Sequence, residues 1–187
     1  MCESPRMKVR KLFLVTLVFL AVPRIAPADG QWVLQECMLT YHISHPLKHT
    51  EGVSHAAKGK GVCHAGQCDF LIAVPVKSFD SGDSNRDIHM LQVTRGGQFP
   101  LITVRTRLPE DVSASAAIHA DLEIQFAGQT VQYRQVAFQR VLQGSDTLIT
   151  GTIPLALSDF KIDPPSLLAI PVKNEVPLRV ESKWRLM

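Results

Sequence analysis

The strongest constraint on this chain is an alternation of apolar and polar residues with a period of two. In IHADLEIQF, residues 118–126, every second side chain is apolar, and the residues between are His, Asp, Glu and Gln. Successive side chains of a β-strand point to opposite faces, so the pattern predicts a half-buried antiparallel strand. The segment VPLRVESKW, residues 176–184, repeats the alternation.

Six further segments have strand-like composition and bring the predicted total to about eight: residues 32–43, 52–63, 68–79, 100–108, 130–142 and 147–157. Within 130–142 the apolar phase changes between Tyr133 and Val136, which predicts a β-bulge near Arg134 and Gln135. Many short strands separated by Gly, Asn, Asp or Pro are typical of a sandwich or a barrel. The sequence therefore predicts an all-β fold.

Only two short segments have helical features. Residues 83–93 begin with Asp83 or Ser84 as the N-cap, and residues 163–170 begin with Asp163 as a cap followed by Pro164 in the first turn. We expect both segments to form brief helices beside the strands.

The first 28 residues have the pattern of a secretory signal peptide. A basic start precedes the apolar stretch Leu12 to Val22, and Ala26-Pro27-Ala28 resembles a cleavage site. The apolar stretch is about 11 residues, against the roughly 20 that a membrane span needs, so cleavage is favoured over an uncleaved anchor, with Met1 or Met7 as the start. Residues 29–187 are then one domain, predicted to be periplasmic or secreted.

Cleavage also changes the charge of the chain. It removes five basic residues and one acidic residue, so the formal net charge of +3 becomes −1. No basic stripe remains for a phosphate backbone, which argues against a nucleic-acid partner. The mature part keeps Cys37, Cys63 and Cys68, and the last two flank the short segment HAGQ. A local disulfide and two free thiols are both compatible with this spacing.

The predicted inner faces are mostly aliphatic, which suits a flexible hydrocarbon chain better than a flat ring. An eight-stranded barrel either fills its interior with side chains or leaves room for one small ligand, and periodicity does not decide between the two. If the interior is open, the predicted ligand-binding residues are Phe70, Ile72, Val74, Ile102, Val104, Leu122, Ile124, Phe126 and Leu178.

Four segments together resemble the YceI-like family of periplasmic polyisoprenoid-binding proteins, over about residues 31–184. They are VPVKSFDSGDSNRDIHML, FPLITVRTRL, LEIQFAGQTVQYRQVAF and SDFKIDPPSLLAIPVKNEVPLRVE. The resemblance implies an extended eight-stranded antiparallel barrel, lipocalin-like in shape, around an elongated apolar cavity for an isoprenoid chain or similar amphiphile. It implies no catalytic residue and no cofactor. The Cys37-Met38 pair and the CHAGQC hairpin depart from the family pattern.

The charged stretch SFDSGDSNRDIHML, residues 78–91, has three interpretations. Asp83, Asn85 and Asp87 match the first half of a calcium loop, but Ile88 replaces the required Gly and Thr94 the required Glu. A catalytic interpretation lacks a nucleophile with a partner. The favoured interpretation is structural: Ser84 and Asp87 cap a helix start, and Arg86 pairs with a carboxylate or loop carbonyls and ties the segment to one barrel end.

A competing signal comes from the His- and Cys-rich segment 42–68, which contains His42, His45, His49, His55 and His64. Imidazole and thiolate bind zinc and copper, so a metal- or redox-linked module is an alternative function. Along a strand, residues three apart face opposite sides, and Pro46 interrupts this one, so no metal site is predicted.

The predicted function is that of an exported, non-enzymatic protein that carries or sequesters an isoprenoid, quinone-like or fatty-acyl chain. Its partner would be an amphiphilic lipid, and a homodimer stays open. We expect the head group at an open barrel end, near Arg105, Arg107 or loop histidines. A stress-related domain with a filled core is the second alternative.

Overall fold

A computed structural model describes residues 30–46, 48–167 and 170–187, with the backbone alone for Lys48, Val112 and Leu167. The predicted signal peptide lies outside these residues. The strands are β1 (Gln31–His45), β2 (Lys48–Ser54), β3 (Lys58–His64), β4 (Gln67–Pro75), β5 (Leu101–Pro109), β6 (Ala117–Phe126), β7 (Gln129–Gln143), β8 (Asp146–Ala156), β9 (Ser166–Leu167), β10 (Ile170–Pro171) and β11 (Glu175–Leu186). The helices are α1 (Ser84–Val93) and α2 (Glu110–Ser113), with 3₁₀ turns at Val76–Ser78 and Leu157–Phe160.

The main sheet closes on itself. Its strands follow the order β11, β8, β7, β6, β5, β4, β3, β1 with every described pairing antiparallel, and β1 also pairs with β11 from Trp32 opposite Leu186 to Tyr41 opposite Leu178. The result is a closed eight-stranded barrel, so the predicted all-β, lipocalin-like fold is confirmed. Closure also removes the exposed edges that an open sheet would present.

The strands β2 and β3 occupy one position in this barrel. Leu39 of β1 faces Ser54 of β2, and Val33, six residues earlier, faces Lys60 of β3, six residues later. Because the offset is the same on both sides, β2 and β3 keep one register against β1. They form a single long strand that is interrupted at residues 55–57, opposite residues 36–38 of β1.

Turn residues set the hairpins. The connection between β3 and β4 consists of Ala65 and Gly66, with φ of 51° and 79°. The connection between β6 and β7 consists of Ala127 and Gly128, with φ of 50° and 77°. Such turns match the right-handed twist of the strands that they join. Two positive-φ residues in sequence therefore explain why these hairpins are so tight.

Two glycines on the inner face of β3 allow aromatic rings to pack directly against the backbone of this strand. A Cβ at Gly61 would lie 2.4 Å from the Phe70 ring, and one at Gly59 would lie 2.7 Å from Trp184. The rings of Phe70 and Trp184 meet edge to face, with centroids 5.5 Å apart. At the KGKG segment, residues 58–61, the barrel interior is therefore filled by side chains of neighbouring strands.

The predicted bulge in β7 is confirmed. The register between β6 and β7 shifts between Ala120 and Leu122, opposite Val136 and Tyr133, and Gln135 takes the left-handed conformation with φ 53°. The extra residue moves the inner face from odd-numbered positions before the bulge to even-numbered positions after it.

One helix prediction is confirmed and the other is wrong. Helix α1 forms at Ser84–Val93, whereas residues 162–165 are irregular and Ser166–Leu167 pairs with Ile170–Pro171 in a small two-stranded ladder. Each residue before a proline is disfavoured in the α conformation, so Pro164-Pro165 opposes a helix start here. The four-residue α2, for which no helix was predicted, follows β5.

The two barrel ends differ, and we name them by their contents. The helix end carries α1, the 3₁₀ turns and the β6–β7 hairpin, while the disulfide end carries the β3–β4 and β7–β8 hairpins, α2 and the end of β11. No helix among the described residues combines the length and apolar character needed to cross a membrane.

Candidate ligand-binding cavity

An apolar cavity of about 170 Å³ runs inside the barrel between the Trp32 and Phe79 regions. A water molecule needs about 10–15 Å³ of such a cavity, so the interior has room for on the order of ten. The 24 lining residues are mostly apolar. Apart from Phe79 and Ser113, they come from seven of the eight barrel positions, and none comes from the position that β2 and β3 share. The sequence left open whether the interior is filled, and the structure shows that it is not.

Seven of the nine predicted ligand-binding residues line this cavity: Phe70, Ile72, Val74, Ile102, Val104, Leu122 and Leu178. The other two, Ile124 and Phe126, point inward but pack around Phe160 at the helix end, where the Phe126 and Phe160 ring centroids are 5.3 Å apart. Alternation identifies the inner face of a strand, but it carries no information on depth along the barrel. That is why these two residues fall outside the lining.

Other lining residues were missed, although the same alternation marks most of them. They are Trp32, Leu34, Cys37 and Leu39 on β1, Leu108 on β5, Ile118 and Ala120 on β6, Phe138 on β7, Ile149 and Ile153 on β8, and Val180 and Trp184 on β11, with Phe79 at the helix end. The four hydroxyls at the wall belong to Thr106, Ser113, Thr147 and Ser182.

The wall hydroxyls differ in how they are satisfied. Ser182 Oγ donates to the Ile149 carbonyl at 3.4 Å and accepts from Trp184 Nε1 at 3.1 Å, and Ser113 Oγ donates to the Glu110 carbonyl at 2.6 Å. Thr106 Oγ1 is buried and has no hydrogen-bond partner among the described residues. A buried polar atom without a partner costs free energy, so this hydroxyl is able to form a hydrogen bond with a polar group inside the cavity.

The helix end of the cavity is closed by buried side chains. Val76, Phe79, Phe160 and Ile162 are at most 5% exposed. Backbone hydrogen bonds between Val53 and Asp80, 2.8 and 2.9 Å long, hold the segment after β4 against β2.

The stretch 78–91 contains a capped helix start, as its sequence predicted, but the described partners of Arg86 lie within the stretch itself, so a tie of Arg86 to the barrel end stays a prediction. Asp83 is the N-cap, with its carboxylate accepting from the amides of Asn85 and Arg86, while Asp87 accepts from the Ser81 amide and hydroxyl. The Arg86 guanidinium donates to the Ser81 hydroxyl at 2.8 Å and to the Ser81 carbonyl at 2.7 Å. The choice of Ser84 as a cap is wrong, since Asp83 fills that position.

The disulfide end is more open. Leu142 on β7 and Leu186 on β11, both on the inner faces of their strands, are 64% and 52% exposed. The predicted head-group residues are not at this opening: Arg105 and Arg107 lie on the outer face of β5, where they pair with Glu123 at 3.4 Å and Asp69 at 2.6 Å. The expectation was wrong for these two arginines, because successive residues of β5 alternate, and Val104 and Thr106 take the inner face.

The described residues of the His- and Cys-rich segment 42–68 do not assemble a metal site. Cys63 and Cys68 form a disulfide across the β3–β4 hairpin. His42 pairs with Glu51 at 3.0 Å, and His45 Nε2 lies 3.2 Å from the Ile170 carbonyl. Among the described residues no group of three or more His, Cys, Asp or Glu side chains is placed to hold a metal ion.

The free cysteine of the described chain, Cys37, lines the cavity and is buried. Burial raises the pKa of its thiol to about 11, since the thiolate would lose its hydration. The thiol therefore stays protonated at neutral pH and acts as a small apolar side chain.

The closed antiparallel barrel with an apolar interior places this chain in the class of lipocalin-like barrels. No family model matches the sequence, and the search of curated proteins gives no match. Solved structures do match. A polyisoprenoid-binding domain from Saccharophagus degradans, implicated in plant cell wall breakdown, is 13% identical, with a TM-score of 0.65 over 83% of this chain and 98% of that one.

Two further structures agree. BcnA from Burkholderia cenocepacia is 14% identical, with a TM-score of 0.67 over 79% of this chain and 95% of that one. A YceI protein from Campylobacter jejuni is 11% identical, with a TM-score of 0.50 over 94% and 97%. The chain therefore has the fold of the YceI-like barrel proteins, as the sequence motifs predicted.

Proposed function

We propose that this protein is a non-enzymatic member of the YceI-like family that carries or sequesters an amphiphilic lipid with an isoprenoid, quinone-like or fatty-acyl chain. The observation that carries the proposal is the apolar cavity, which runs through an otherwise well-buried barrel. The structural neighbour from Saccharophagus degradans is a polyisoprenoid-binding domain, which supports the same ligand class.

The physical mechanism is burial of the hydrocarbon chain against aliphatic walls. Each CH₂ removed from water contributes about 0.8 kcal/mol, while immobilising a flexible side-chain-like tail costs on the order of 2 kcal/mol. A chain of several carbons thus gains more from burial than it loses in ordering. Because the lining is mostly Ile, Val and Leu, a linear or branched aliphatic chain fits better than a flat ring system.

We also propose export to the periplasm or beyond. The signal-like pattern of residues 1–28 supports it, and so does the Cys63–Cys68 disulfide, since disulfides persist in oxidising compartments. The alternatives are less well supported: the open cavity argues against a filled core, and the disulfide removes both thiolates from the metal-binding interpretation.

The test is to fill the cavity from inside. Ile72→Trp on β4 places a large ring in the lining, whereas Leu71→Trp on the same strand places it on the outer face, where Leu71 is 47% exposed. Mass spectrometry of organic extracts should find a co-purifying lipid in the wild type and in Leu71→Trp, and much less in Ile72→Trp.

Circular dichroism confirms that both variants keep the barrel. No lipid in native wild-type extracts, together with no uptake of added hexadecanoate or hexadecanol, would refute the proposal. Equal lipid content in the two variants would show that the ligand sits elsewhere.

A further inference from the structure

One arginine lies on the inner face of the barrel wall. Arg140 is opposite Ile149 in the β7–β8 ladder, and residues directly opposite in an antiparallel pair project from the same face. Ile149 lines the cavity, as does Phe138 two residues before Arg140 on β7. The side chain of Arg140 therefore projects inward at the disulfide end, between the lining residue Phe138 and the exposed Leu142.

The guanidinium of Arg140 is held in place but not satisfied. Its Nη1 donates to the Ala114 carbonyl at 2.8 Å, in the connection between α2 and β6. Its Nε is buried and lacks a hydrogen-bond partner, one of two such side-chain atoms in the part of the chain that the structure describes. The other, Thr106 Oγ1, lies deeper in the same barrel. A charged donor left without an acceptor is costly, so its presence calls for an explanation.

The other arginines of the barrel wall near this end have protein partners on the outer face. Arg107 donates to Asp69 at 2.6 Å and Arg185 donates to Asp146 at 2.7 Å. No ion pair of Arg140 occurs among the described residues, whose ion pairs involve other cations. Arg140 thus combines an inward position, a buried donor and a location at the more open end.

We propose that Arg140 binds the anionic head group, a carboxylate or a phosphate, of the amphiphile whose chain occupies the cavity. This inference rests on the proposed function and adds the chemistry of the head group. The planar guanidinium suits such oxyanions, because its N–H donors match their geometry. The apolar wall beyond Phe138 then receives the chain, so one molecule meets a cation at the opening and hydrocarbon in the interior.

Three probes with the same chain test the proposal: hexadecanoate, hexadecyl phosphate and hexadecanol, each competing with a fluorescent lipid. A hydrogen bond to a charged group contributes enough for about tenfold in affinity, so the wild type should bind both anionic probes about tenfold more tightly than the alcohol. Arg140→Gln should abolish that preference and leave hexadecanol binding unchanged. Arg140→Lys should retain part of it.

Arg105→Gln is the matched control, since Arg105 is an outer-face arginine and should leave all three affinities unchanged. Equal wild-type affinities for the three probes, or a preference that survives in Arg140→Gln, would overturn the head-group assignment while the carrier function stands. Binding of none of the probes would refute both if native extracts also hold no lipid, and would overturn the head-group assignment alone if they do hold one. If Arg140→Gln does not fold, Arg140→Lys and the wild-type comparison still decide the question.

Discussion

The backbone amide of Gln135 donates to the carboxylate of Asp121 at 2.8 Å, directly across the bulge between β6 and β7. The Gln135 side-chain amide reaches the same oxygen at 3.3 Å. This contact holds the extra residue of β7 in its left-handed conformation. The inner face of β7 beyond this point depends on the change of face at the bulge. It includes Phe138, which lines the cavity, and Arg140.

Removal of the Asp121 carboxylate should destabilise the barrel. Asp121→Ala leaves the Gln135 amide without its acceptor, so the free energy of unfolding should fall. We expect a loss of only about 1 kcal/mol, because the site is exposed and water can replace the acceptor. Asp121→Asn keeps an acceptor oxygen and should lose less. Urea unfolding measures the free energy of both variants, provided that its dependence on urea concentration is the same as in the wild type. Equal losses in the two variants would contradict the assigned role of the hydrogen bond.

The elements that the sequence predicted are those that local rules control. Alternation identified the strands, the phase change between Tyr133 and Val136 located the bulge, and Asp83 was one of the two proposed caps of α1. In each case the signal lies within a few residues of the feature. The inward position of Arg140 also follows from that phase change, if the alternation is continued for four residues beyond Val136.

The features that escaped prediction depend on distant contacts. Residues 163–170 were predicted as a helix, yet the following Lys173 amide donates to the Ser44 carbonyl of β1 at 2.9 Å, and Val172 donates to Pro165 at 2.9 Å. Likewise, Ile124 and Phe126 are excluded from the cavity lining by Phe160, which arrives from a turn more than thirty residues later. The Phe160 contact leaves no local mark in the sequence, whereas Pro164-Pro165 was a local sign against the predicted helix.

Reduction of the Cys63–Cys68 disulfide should lower the stability of the disulfide end. The bridge closes a loop with a sequence separation of 5, for which the chain-entropy model gives a stabilisation of about 2 kcal/mol. The thermal unfolding midpoint of the wild type should therefore fall on addition of dithiothreitol. The double variant Cys63→Ser, Cys68→Ser serves as control and should not respond to the reductant. A wild-type midpoint that is unchanged by reductant would show that the bridge contributes little.

Replacement of the unpartnered hydroxyl at Thr106 should stabilise the ligand-free protein. Thr106→Val keeps the shape of the side chain and removes a buried polar atom without a partner, so we expect a gain of about 1 kcal/mol after delipidation. Thr103→Val is the control, because Thr103 contacts Gln125 in an exposed position and should change stability by less than about 0.5 kcal/mol. A loss of stability in Thr106→Val would instead indicate that bound water satisfies the hydroxyl.

Alkaline pH should destabilise the protein partly through Cys37. Burial raises the pKa of this thiol from its ordinary value of 9.0 to about 11. Between these values the unfolded chain releases a proton that the folded protein retains, so stability from this group is fully present below about pH 9 and is lost as pH rises toward 11. From pH 8 to about 10.5 the wild type should lose about 2 kcal/mol more of its free energy of unfolding than Cys37→Ala.

Burial also raises the pKa of Tyr41 and Tyr133, but both proteins share these groups, so the difference between wild type and Cys37→Ala isolates the thiol. Urea unfolding at the two pH values measures it, and equal losses would mean that the thiol ionises in the folded barrel as readily as in the unfolded chain.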